Sequence, residues 1–156
     1  MVRRERLRDA RQGRAVVDPD HLGAVGGVSY RHSEWERLLR ELADGEFDLV
    51  VDGAGGEAFN ALLGLTIPGG TVVVYGATAG AVPLFNLHRL FWRQLRVVGS
   101  TMGTDAEFAA MVRFVCEHRL VPVIDSVFPF ERVTEAFERL RSDEHMGKVI
   151  IRIASG

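Results

Sequence analysis

The stretch Phe47-Asp48-Leu49-Val50-Val51-Asp52-Gly53-Ala54-Gly55-Gly56 decides the fold. It is a short, mostly apolar run closed by small residues and glycine, which reads as a buried strand leading into a tight turn. Ahead of it, Trp35, Leu38, Leu39 and Leu42 recur at i, i+3, i+4 and i+7, the stripe of an amphipathic helix. Ser33 is the expected N-cap of that helix and Gly45 its stop. Beyond the glycines, Phe59, Leu62 and Leu63 mark a second helix, ended by Pro68-Gly69-Gly70. Thr71-Val72-Val73-Val74-Tyr75 then gives a second buried strand, again closed by glycine.

The alternation continues downstream. Asn86 caps a helix through Leu87, Leu90 and Phe91, and Leu95 to Gly99 is the next strand. Thr104 and Glu107 stand three apart, as a capping box requires, ahead of the stripe Phe108, Met111, Val112 and Val115. Val123 to Phe128 is strand-like, Val133, Phe137 and Leu140 suggest a last helix, and Lys148 to Ile153 a last strand. Apolar strands joined by helical crossovers make a parallel α/β sheet. The fold class is therefore α/β: a doubly wound, mostly parallel sheet with helices on both faces, a partial Rossmann arrangement. Three parts are expected: a basic segment over 1–21, a sheet domain over 22–121, and a strand-helix-strand over 122–156.

Composition bounds the function. The chain has 156 residues, 47% of them hydrophobic and 26% charged, so a disordered or collagen-like polymer is excluded. The single cysteine rules out a disulfide framework or a cysteine-rich zinc module. No apolar run approaches the roughly 18 residues of a membrane span, and the amino terminus carries no apolar signal core. No membrane partner and a cytoplasmic location are expected. A formal net charge of −2 gives no global attraction for nucleic acid, and no nucleic-acid partner is expected. Arg3, Arg4, Arg6, Arg8, Arg11 and Arg14 form a local basic arm of a kind that can touch nucleic acid or a phosphate; the plainer reading is a solvated helix face.

The chemistry lies in three glycine clusters at strand ends: Gly53 to Gly56, Gly76 to Gly80, and Gly99 to Gly103. Ligands of open α/β sheets bind outside the carboxyl ends of the strands, and glycine there permits close backbone approach. Three such ends in succession suggest a cofactor-sized groove; the plainer alternative is that they serve only as tight turns. Gly53, Gly55 and Ala58 also spell G-x-G-x-x-A between a strand and a helix. Two facts weaken that match as a phosphate loop. The acidic residue expected about 20 residues on is absent, since Tyr75 and Gly76 stand there, and Asp52 sets a carboxylate beside the turn. Gly99 to Gly103 has nucleophile-elbow spacing, but Thr101 replaces the serine. Cys116 and His118 stand two apart on a helix and face different ways, a poor metal pair. No catalytic acid, base, nucleophile or metal site is visible.

Five segments, in order and spacing, carry a resemblance. They are Phe47 to Gly56, Pro68-Gly69-Gly70-Thr71-Val72-Val73-Val74-Tyr75-Gly76-Ala77-Thr78, Asn86 to Gln94, Gly99-Ser100-Thr101-Met102-Gly103-Thr104, and Gly147-Lys148-Val149-Ile150. From about Leu22 to Ile153 the chain resembles the C-terminal part of the medium-chain dehydrogenase/reductase superfamily, nearest its zinc-type alcohol dehydrogenase and quinone oxidoreductase members. The resemblance implies the second half of a Rossmann domain binding NAD or NADP. It implies that the backbone around Asp52 and Gly53, the run Gly76, Ala77 and Thr78, and Ser100 and Thr101 face the nicotinamide half. Lys148 matches a basic position near the pyrophosphate, a role suited to a flexible point charge. The strand Leu95 to Thr101 matches the edge through which family dimers join, so a homodimer is expected.

The resemblance leaves parts without counterpart: the N-terminal catalytic domain with its zinc ligands, and the first strand with its glycine-rich loop. The chain is thus read as a truncated family member with no zinc site. In the order 3-2-1-4-5-6 the missing strands lie between a strand near Val28 to Tyr30 and Phe47 to Asp52. Phe47 to Asp52 becomes an exposed apolar edge. Weak or absent cofactor binding by the chain alone is expected, because the helix N-terminus that holds a pyrophosphate is missing. Three readings follow. The first is the cofactor part of an oxidoreductase that needs a separate N-terminal catalytic partner. The second is a non-enzymatic homodimerisation or complementation module. The third is a minimal nucleotide binder using Gly53 to Ala58, for which Asp52→Asn should tighten binding.

Overall fold

A computed structural model describes residues 24, 26–142 and 144–154. The basic segment over 1–21 lies outside the described residues. The chain divides into two compact units, Leu22–Met102 and one that contains Gly103–Gly156, each described here by itself.

The first unit runs α1 (Trp35–Ala43), β1 (Phe47–Asp52), α2 (Phe59–Leu65), β2 (Thr66–Val74), α3 (Leu87–Trp92) and β3 (Arg96–Gly99). Its three strands lie in the order β1-β2-β3, all parallel. Alternation along the strands separates the two faces. Val50, Val72 and Val74 join Phe59, Leu62, Leu63, Leu90 and Leu95 in one core under α2 and α3. Leu49, Val51 and Val98 point the other way and are exposed. Parallel strands are ordinarily covered on both faces, so in this unit the sheet keeps one bare apolar face. β1 and β3 are the two edges of this three-stranded sheet.

At the amino end of the sheet the Arg93 guanidinium spans two elements. It donates to the Thr66 carbonyl at 2.8 Å and pairs with the Glu46 carboxylate. Arg40 reaches the same carboxylate at 3.5 Å and the Gly64 carbonyl at 2.9 Å. These bonds tie the carboxyl ends of α1, α2 and α3 to the start of β1.

Three local expectations change. Ser33 does not cap α1: the N-cap position is Glu34, without a side-chain cap bond. Its backbone N–H donates instead to His32 Nδ1 at 3.1 Å. Val28 to Tyr30 is not a strand, because Ser29 starts a turn, its carbonyl accepting from His32 N–H at 3.0 Å and its hydroxyl from Arg31 N–H at 3.3 Å. Pro68-Gly69-Gly70 does not stand between helix and strand but inside β2, as a bulge. Phe47 pairs with Thr66 and Leu49 already with Thr71, so the intervening residues loop out of register. Gly69 takes φ +79 there, a left-handed conformation that suits glycine.

The second unit holds α4 (Asp105–Glu117), β4 (Ile124–Pro129), a 3₁₀ turn (Phe130–Arg132), α5 (Val133–Arg141) and β5 (Lys148–Arg152). The capping box forms: Thr104 Oγ1 accepts from Glu107 N–H at 3.3 Å, and Glu107 Oε2 accepts from Thr104 N–H at 2.7 Å. The bond from Thr104 N–H, and then that from Thr104 Oγ1, which donates to Glu107 Oε2 at 2.9 Å, hold the Glu107 carboxyl below its usual range. β4 and β5 pair in parallel. Asp125 fixes the connection into β5, its carboxylate accepting from Arg139 Nη2 at 2.6 Å, Arg139 Nε at 2.9 Å and Met146 N–H at 2.9 Å. The Arg139 bonds first, then the Met146 N–H, hold the Asp125 carboxyl far below the ordinary carboxylate range.

Candidate functional site

Register aligns the strand ends. Asp52 pairs with Val74, and Val74 with Gly99, so the three parallel strands finish in one row. The row extends into the loops, where Tyr75 N–H donates to the Asp52 carbonyl at 2.9 Å and Ser100 N–H to the Val74 carbonyl at 2.8 Å. Asp52, Gly53, Gly76, Ala77, Thr78, Ser100 and Thr101 therefore converge on one rim at the carboxyl end of the sheet. Ala77, Thr78, Ser100 and Thr101 are exposed along it. Lys148, the eighth expected residue, opens β5 in the other unit.

The turn after β1 is filled from within. Asp52 is only 8% exposed, and its carboxylate accepts from Ala54 N–H at 3.1 Å and Gly55 N–H at 2.9 Å. Gly56 N–H donates to the Gly80 carbonyl at 3.0 Å. The three amides that a phosphate needs at a G-x-G-x-x-A turn are thus already taken. The Asp52 side chain holds the turn by occupying its nest of amides, beyond the simple repulsion read from the sequence. α2, which follows, has no side-chain cap at Ala58.

The second loop is fastened onto the first. Thr78 N–H and Oγ1 both reach the Gly53 carbonyl at 3.3 Å, and Ala79 N–H reaches the Ala54 carbonyl at 2.8 Å. Most of the glycines serve this contact. A Cβ on Gly76 would stand 2.8 Å from the Gly53 carbonyl oxygen, and one on Gly55 2.8 Å from the Gly80 carbonyl oxygen. Gly55 and Gly56 also hold φ +66 and +65. Gly99 differs: a Cβ there would meet nothing within 4 Å, and its φ lies outside the left-handed region. That position is open space above the last strand, where a ligand approaching the backbone gains from a missing side chain.

Tyr75 is the rim residue that reading by spacing passes over. Its signal in the sequence is an aromatic placed between three valines and a glycine. It is 64% exposed, and its phenol end lies where Gly53 would carry a Cβ, 2.6 Å from that position.

A family model described as zinc-binding dehydrogenase matches residues 22–151. The chain belongs to this family. It is a cofactor-domain part of the medium-chain dehydrogenase/reductase superfamily. The zinc-type alcohol dehydrogenase-like protein YogA of Leptosphaeria maculans is 33% identical over 141 residues, covering 85% of this chain and 39% of that protein. A solved NAD-dependent alcohol dehydrogenase superposes with a TM-score of 0.76 at 31% identity, over 97% of this chain and 42% of its own. A 2-octenoyl-CoA carboxylase reductase, CinF, solved with NADP and 2-octenoyl-CoA, superposes at 0.66 with 28% identity, over 74% of this chain and 26% of its own. The chain thus spans about two fifths of the length of the first two relatives.

The family description names zinc. Among the described residues no group of three or more His, Cys, Asp or Glu side chains is placed to hold a metal ion, so these residues do not fit a zinc centre. Among them, too, no helix is long and apolar enough to cross a membrane. A nicotinamide dinucleotide fits better at one end than the other. The rim offers an open backbone at Gly99 and the exposed residues Thr78 and Ser100, while the turn after β1 offers no free amides for a pyrophosphate.

Proposed function

We propose that this chain supplies the nicotinamide-facing half of an NAD(P)-dependent oxidoreductase site, acting on an alcohol, carbonyl or quinone when a catalytic half completes it. The observation that carries the reading is the rim itself: three parallel strands ending in register, with two loops already fastened and Gly99 left open. When bound, the cofactor supplies the hydride chemistry. The chain's own part is position. Asp52 holds the first turn, the Thr78 bonds to Gly53 hold the second loop, and the exposed residues Thr78 and Ser100 line the ligand's approach. Lys148 is the candidate partner for the pyrophosphate. Whether NAD or NADP is taken depends on residues outside this rim. A cytoplasmic location accords with the composition.

A second reading is favoured by a specific observation. β1 is an open edge, and Leu49, Val51 and Val98 expose an apolar face. Both features suit an association module: a homodimer joined through Leu95 to Thr101, or complementation by a separate N-terminal partner. One experiment separates the two. The purified chain is titrated with NADH and NADPH by fluorescence while light scattering gives its mass. Saturable binding below millimolar cofactor, tighter than about −4 kcal/mol, supports the first reading. No binding up to millimolar cofactor, with a stable dimer, overturns it in favour of the second.

A further inference from the structure

The Tyr75 side chain lies over Gly53 and is bonded to nothing among the described residues. Its side chain is 64% exposed at the end of the central strand. Among the described residues its ring stacks on no other aromatic and lies under no guanidinium, and its hydroxyl has no hydrogen-bond partner. Yet the neighbouring strand makes room for it. Gly53 lacks the Cβ that would stand 2.6 to 2.9 Å from Tyr75 Cζ, Oη and Cε2, and these ring atoms are the nearest three such a Cβ would meet. Gly53 holds no positive φ, so backbone conformation does not demand glycine there. The glycine spares space for the ring.

An aromatic kept exposed beside a ligand rim presents a planar, electron-rich face. Such a face attracts cations, more strongly as water is excluded. The nicotinamide ring is planar and carries a positive charge when oxidised; the dihydronicotinamide is neutral. We propose that Tyr75 is a specificity-determining residue of the rim, stacking on the nicotinamide ring and favouring its oxidised form. The inference rests on the reading that this rim faces the nicotinamide.

The test is calorimetric titration of the full chain and its variants with the oxidised and reduced cofactor. Tyr75→Val weakens the oxidised form about three- to fivefold, the range of a cation–aromatic contact at a partly exposed site, and the reduced form by less than half of that. Tyr75→Phe retains wild-type affinity for both. Gly53→Ala, which pushes the ring aside while leaving it present, reproduces the pattern of Tyr75→Val. The exposure of Tyr75 keeps thermal melts of its variants unchanged. Equal weakening of both redox forms overturns the proposal and leaves the cofactor reading standing, as does a Tyr75→Phe variant that falls with Tyr75→Val. A wild-type chain that binds neither form up to millimolar overturns the cofactor reading and this inference with it.

Discussion

Removing the Asp52 carboxylate is the sharpest test of how the rim is built. The group is 8% exposed and accepts two backbone N–H bonds, from Ala54 at 3.1 Å and Gly55 at 2.9 Å. Asp52→Ala leaves two amides without partners in a site nearly closed to water. Each abandoned donor costs about 1–3 kcal/mol, and water entering the vacated space recovers part of that. A net loss of about 3 kcal/mol follows. Asp52→Asn keeps one good acceptor and should lose about half as much. The assay is urea unfolding of the chain followed by tryptophan emission. Both tryptophans, Trp35 and Trp92, lie in the first unit, so the signal reports on it alone. With a slope of about 1.5 kcal/mol per molar urea, the midpoint of Asp52→Ala falls by about 2 M, and that of Asp52→Asn by about 1 M. Alanine and wild-type midpoints within about 0.3 M of each other would refute the view that this side chain holds the turn.

Two further predictions concern the second unit. Gly147 takes φ +99, and a Cβ there would collide with the Val123 carbonyl, so Gly147→Ala should cost about 2 kcal/mol or more and lower the thermal midpoint by several degrees. Because Arg139 and the Met146 N–H depress the Asp125 carboxyl in the folded chain, its stabilisation is complete above the ordinary carboxylate range near pH 4 and is lost as pH falls towards the depressed folded value. Asp125→Asn should therefore flatten the acid side of a stability–pH profile followed by circular dichroism. A profile unchanged by that substitution would count against the assignment.

Much of this fold is legible without coordinates, for a definite reason. A strand buried on one or both faces must be apolar, and a crossover helix must show a stripe, so Phe47 to Asp52, Thr71 to Val74, Trp35 to Leu42 and the Thr104–Glu107 box are all written in side-chain type and spacing. Failures occur where backbone geometry decides. Ser33 has the right chemistry for a cap, yet the Trp35 N–H that it would hold donates to the His32 carbonyl instead. Pro68-Gly69-Gly70 has the composition of a boundary, yet pairing of Thr66 with Phe47 carries the strand through it as a bulge.

The sequence by itself determined the α/β class, the order of strands and helices, and the glycine-closed strand ends. Each follows from residue type and order along the chain. Only the tertiary structure decided what the glycines are for. Gly53, Gly55, Gly56 and Gly76 are small chiefly to let two loops and a tyrosine ring meet, while Gly99 alone of the rim glycines named here leaves space unfilled without needing a positive φ. It decided, too, that Asp52 turns inward to hold the amides of the glycine turn, where the sequence showed only a carboxylate beside it. The glycine contacts join positions more than twenty residues apart, and spacing along a chain carries no record of which two loops will touch.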